Sequence, residues 1–145
     1  MVAKLTELVS SIDACEIRQK LLSDSKNNKG MLRADSDEVQ TILNLPGVSY
    51  LVEVDVETIE QLGLAVNNAI VSMENSSINY SKAKGLLVKL CVNQYPKVSQ
   101  LKHLLNAIDV HFDRLNTAAL FNVYEDNCIE NFIGVSLVLT GIVTD

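Results

Sequence analysis

NYSKAKGLLVKLCVNQYPKVSQLKHLLNAIDVHF, Asn79–Phe112, is the stretch on which the reading of this chain turns. Its first half places Leu86, Leu87, Leu90 and Cys91 at helical spacing. Its second half does the same with Val98, Leu101, Leu104, Leu105, Ile108 and Phe112. A short connector containing Pro96 lies between, so the pattern predicts an αα-hairpin. The hairpin also carries a charge asymmetry. No acid occurs between Asn75 and Ile108, whereas Lys82, Lys84, Lys89, Lys97 and Lys102 all do, with His103 beside them.

Working outward, the same period predicts further helices. Leu5, Leu8, Val9 and Ile12 imply a first helix over about Val2 to Ser23. Asp35 with Glu38 fits a loose capping box, followed by Val39, Ile42 and Leu43 and ended by Pro46-Gly47. VSYLVEV (Val48–Val54) is the one segment with β character, and it reads as an extended connector or a helix turn because no partner strand is evident. Ile59, Leu62, Val66, Ile70 and Met73 mark a strong helix with Asp55, Glu57 and Glu60 at its positive end; Gly63 and the central Asn67-Asn68 lower its propensity and point to a close helix approach, a polar contact or a tolerated cost. Leu120, Phe121 and Tyr124 suggest another helix, and Ile129, Phe132, Ile133 and Leu137 begin a last one. The sum is an all-α fold class: a single domain, residues 1–145, of six or seven helices in antiparallel hairpins, forming a compact bundle or a short HEAT- or TPR-like array.

Composition bounds the function. One domain of 145 residues buries a core without staples, and Cys15, Cys91 and Cys128 are dispersed in apolar surroundings, as expected of a soluble protein in the reducing cytoplasm. The net charge of −6, from 18 acids and 12 bases, disfavours general nucleic-acid binding. The apolar run Ile133–Val143 is too short for a membrane span of roughly 20 residues. His103 and His111 are two helical turns apart, which is too far to share a metal. There is no GxSxG, no P-loop and no GxGxxG. The expectation is therefore a non-enzymatic module with no metal and no cofactor, which binds a protein partner or a second copy of itself. Two surfaces are candidates: Lys82, Lys84, Lys89 and Lys102 for an acidic partner, and Phe132, Ile133, Leu137 and Leu139 for self-association. Two alternatives stand beside it. One is a ligand-binding bundle or enzyme with a cleft assembled from Glu125, Asp126, His103 and His111; the other is a nucleic-acid binder using the basic hairpin.

The segments DVETIEQLGLAVNNAIVSM, GLLVKLCVNQYP and LKHLLNAIDVHFDRLNTAALFNVYEDN, in that order, resemble the N-terminal helical-repeat region of PCI-type scaffold subunits such as the m subunit of eukaryotic translation initiation factor 3. The resemblance carries over no functional residue, and the chain is too short for the winged-helix module of that family. It implies a non-enzymatic scaffold docked in a larger complex.

Overall fold

The computed structural model describes residues 3–8, 36–92, 94, 96–113, 116–125 and 133–142. Among the described residues five strands and three α-helices follow one another: β1 (Ala3–Leu8), α1 (Ser36–Leu43), β2 (Val48–Val56), α2 (Leu62–Asn75), β3 (Gly85–Val92), α3 (Val98–His111), β4 (Ala118–Glu125) and β5 (Ile133–Ile142). The strands form one sheet in the order β1-β2-β5-β3-β4. The fold is therefore mixed α/β, and the all-α expectation, whether bundle or helical repeat, is corrected.

The correction has an identifiable cause. GLLVKLCV, whose spacing predicts the first arm of a helical hairpin, is β3, bonded to β5 on one side and β4 on the other. A strand covered on both faces is apolar throughout, and a run of about eight such residues shows helical and strand periods together. Leu120 and Phe121 belong likewise to strand β4. Residues 3–8 of the expected first helix pair antiparallel with β2, and the rest of that helix lies outside the described residues. VSYLVEV is the core of β2; the partner that was not evident is β5, which had been read as a helix.

β5 runs antiparallel to both of its neighbours, so β2 and β3 are parallel to each other with β5 between them. β3 and β4 are parallel and adjacent. The crossovers β2-α2-β3 and β3-α3-β4 advance across the sheet in the same direction, and right-handed crossovers of that kind place both helices on one face. α2 buries Leu62, Ala65, Val66, Ala69, Ile70 and Met73 there, and α3 buries Leu104 and Ile108. They pack on cross-strand rows such as Val52–Leu137–Val88–Phe121 and Val54–Val135–Leu90–Val123. α1 falls where the Asp35 and Glu38 pattern put a helix, and it covers the opposite face, where Val39 and Leu43 meet Leu51, Leu87 and Val138.

A bulge shapes one end of the sheet. Between the pairs Val48–Ile142 and Tyr50–Leu139, Ser49 opposes two residues, Thr140 and Gly141, and Gly141 takes φ +72°, the left-handed conformation such a bulge requires. Gly85 is equally constrained, because a Cβ there would stand 2.5 Å from Thr140 Oγ1 and 2.8 Å from Ile42 Cγ2. Ser49 Oγ is buried with no hydrogen-bond partner among the described residues.

Ile133, Leu137 and Leu139, expected on an association face, are core residues of the sheet, and Phe132 lies outside the described residues. Leu137 is 0 % exposed in the central strand. Leu137→Ala should therefore lower unfolding stability by about 2–5 kcal/mol in urea titrations, with little change in any oligomer that survives. Ser49→Ala should be neutral or stabilising by about 1 kcal/mol in the same assay, since it deletes a buried hydroxyl that lacks a partner.

Candidate functional site

The two parallel crossovers bring the start of α2 and the start of α3 to the same end of the sheet, above the C-terminal ends of β2 and β3. Local chemistry fixes both starts. Before α2, the Gln61 side-chain oxygen accepts from the backbone N–H groups of Glu57 and Thr58 at 2.9 and 3.2 Å. Before α3, Gln100 does the same for the Lys97 N–H at 2.7 Å. A cleft of about 390 Å³ opens between these turns, lined by Glu60, Gly63, Ser99, Gln100 and His103 among others. A second cavity of about 250 Å³ lies between α3 and the β4 side of the sheet, walled by Leu101, Leu105, Val88 and Phe121, with Lys102 at its rim.

At the opposite end, Ser77 to Lys84 joins α2 to β3. Ala83 and Lys84 are held by the backbone bonds Ala83 N to Tyr80 O, Lys84 N to Thr140 O and Ala118 N to Lys84 O. Thr117 Oγ1 donates to Ala83 O at 2.8 Å in a buried position, which ties the β4 entrance to the same turn. Tyr80 stacks edge-on with His111 and Phe112, its hydroxyl donates to Glu74 at 3.1 Å, and His111 Nε2 lies 3.2 Å from Asn67 Oδ1. Of the readings open for Asn67-Asn68 in the sequence, Asn67 makes a polar contact, to His111 across α2 and α3.

The four lysines expected to form one basic face are not brought together. Lys82 and Lys84 are exposed at the start of β3, and Lys102 is exposed near the opposite end, on α3. Lys89 is half-buried on the α1 side of the sheet, in the row Glu53–Ser136–Lys89–Asn122. The αα-hairpin that united them was a product of reading β3 as helix. His103 faces the polar cleft and His111 the Tyr80 cluster, so they share no site; Glu125 ends β4, and Asp126 lies outside the described residues. Among the described residues no three His, Cys, Asp or Glu side chains converge as metal ligands. Among them, too, no helix is long and apolar enough to cross a membrane.

Sequence reasoning missed the inverted charge of α3. Lys97 stands at its N-cap, and Asp109 lies in its last turn with Asp113 two residues beyond its end. A helix favours acids at its start and bases at its end, by about 0.3–1 kcal/mol each at exposed positions. These residues oppose that preference. The signal was present in the sequence once the boundaries of α3 were set.

No protein-family model matches this sequence, and no curated protein matches it. Solved structures do. The FtsZ dimer of M. jannaschii, solved empty, aligns with a TM-score of 0.64 at 17 % identity, over 91 % of this chain and 40 % of that one. The GDP-form protofilaments of Bacillus thuringiensis serovar israelensis TubZ align at 0.58 and 9 % identity, over 93 % and 38 %. The four-stranded helical filament of TubZ-Bt aligns at 0.65 and 7 % identity, over 92 % and 36 %. This chain spans about two fifths of the length of those it matches. The resemblance to PCI-type scaffold subunits is thereby corrected. So is the expectation of a non-enzyme, which rested on the absence of recognisable catalytic and nucleotide-binding motifs, since chains of the observed fold include one solved in its GDP form.

Burial, the Glu74 hydrogen bond and the Glu74 charge, in that order, raise the Tyr80 phenol above its ordinary value near 10. The folded state then holds a proton that the unfolded chain has released, so this group's contribution to stability falls as pH rises past about 10. Tyr80→Phe should flatten the alkaline loss of stability, followed by circular dichroism between pH 9 and 11. The chain has the α/β fold shared by the FtsZ and TubZ structures.

Proposed function

We propose that this chain is a self-associating subunit whose copies assemble into filaments, as in the TubZ protofilaments and four-stranded filament, the FtsZ structure being a dimer. One observation carries the reading: more than nine tenths of the chain aligns with those structures at TM-scores of 0.58 to 0.65. In this reading the chain acts as one unit in the cytoplasm, its principal partner is a second copy of itself, and guanine nucleotide accompanies assembly, as the GDP form of TubZ suggests. The exposed lysines Lys82, Lys84 and Lys102 contribute to contacts with acidic surfaces of that partner.

The supporting physics is a rigid two-faced sheet with exposed, hydrogen-bonded turns at both ends, a shape suited to addition of copies with little loss of internal freedom. Light scattering over a concentration series, with GTP, with GDP and without nucleotide, is the direct test. Mass that grows with concentration, together with filaments in negative-stain images, is the expected result. A monomer under all three conditions would remove the reading. Phosphate release from GTP, measured in the same samples, tests whether assembly is coupled to hydrolysis.

A further inference from the structure

We infer that the cavity between α3 and the β4 side of the sheet binds a free alkyl carboxylate of about eight to ten carbons, its chain beneath α3 and its carboxylate at Lys102. The space follows from how the helices sit. α2 lies close against β1, β2 and β5, whereas the close backbone approaches of α3 are chiefly to α2, so α3 stands away from β3 and β4. Val88, Leu90 and Val123, all buried, form the floor of the gap, and half-buried Leu101, Leu105 and Phe121 form its walls. Val88 with Phe121, and Leu90 with Val123, are register pairs of the parallel β3–β4 ladder, so backbone bonds fix the floor and one wall together.

The chemistry of the lining selects the occupant. The surface presented to the cavity is apolar throughout, and a trapped water needs about two to four polar partners, so the space favours hydrocarbon over water. An apolar cavity of about 150 Å³ takes benzene, with six carbons, and one of about 250 Å³ takes about ten in proportion. Exposed Val98 and Lys102 mark the mouth. Lys102 is the one charged residue of the lining, and among the described residues its ammonium group has no hydrogen-bond or ion-pair partner. A lysine so placed lays its methylenes along the apolar wall and keeps its charge in water. The nearest acid on α3 is Asp109, about two turns away. A hydrocarbon chain ending in one carboxylate answers both features, whereas a more polar solute would leave groups unpaired against the floor. The cavity is built within one copy of the chain, so binding does not require self-association.

Isothermal titration calorimetry of the unmodified chain with sodium decanoate, below its micellar concentration, should give saturable binding of one ligand per chain with a negative heat-capacity change. Octanoate should bind about tenfold more weakly, because it buries two fewer methylenes. Dodecanoate and tetradecanoate should gain nothing further, since the cavity is then full. Lys102→Met should weaken decanoate about threefold and leave decan-1-ol unchanged, as only the charged ligand uses the ammonium group. Leu101→Trp, which fills the cavity, should abolish binding of both; the chain-length series needs no variant and decides the matter should Leu101→Trp fail to fold. Affinity that keeps rising through tetradecanoate would mark detergent-like adsorption and overturn the inference. So would an absence of saturable decanoate binding, or a Lys102→Met chain with unchanged decanoate affinity. Binding to phosphatidylglycerol vesicles without binding to free decanoate would assign the cavity to a lipid surface, and would overturn it as well.

Discussion

Everything in this structure depends on β5 being hydrogen-bonded on both sides. Ile133–Ile142 pairs antiparallel with β2 and with β3, and its side chains enter both hydrophobic layers: Val135, Leu137 and Leu139 under α2 and α3, Val138 under α1. Without it, the β1–β2 pair and the β3–β4 pair would be separate two-stranded ribbons, which are marginal in water. Because β5 comes last among the strands, the sheet joins only after the non-local pairing of β2 with β5 is made, a contact with high loop-closure cost.

The sequence showed the helices more clearly than the sheet. α2 and α3 each keep an apolar stripe and a polar face, so their period survives in the sequence and both were located, as was α1 by its capping pattern. The strands lost their signature through burial. β2 alternates clearly at its C-terminal half, Val52, Val54 and Val56 against Glu53 and Asp55, and is the one segment whose sequence shows β character, though it reads equally as an extended connector or a helix turn. β3 and β5 have apolar neighbours on both faces, and alternation disappears when both sides of a sheet exclude water. β5 keeps the trace Ile133, Val135, Leu137, Leu139, but Val138 between them fits a helical stripe as well.

That one misassignment displaced the functional reading. With β5 as an isolated terminal helix, Leu137 and Leu139 became surplus apolar surface in need of a partner. In the sheet they have that partner within the chain, and the hydrophobic content of 48 % is accounted for by a core with two layers. The basic hairpin dissolves because β3 is a strand, which leaves its lysines spread over a turn, a strand and a helix at different ends of the molecule.

The topology also gives the two ends of the sheet different electrostatic character. A net −6 makes copies repel at a distance, weakly once salt screens the field. Right-handed crossovers that advance in one direction force α2 and α3 to run parallel, so their dipoles add and give the molecule a positive and a negative end before any side chain is counted. A domain of antiparallel helices would cancel that polarity. The order and direction of the strands thus set the polarity of this helical layer, and the charges exposed at each end of the sheet are superposed on it.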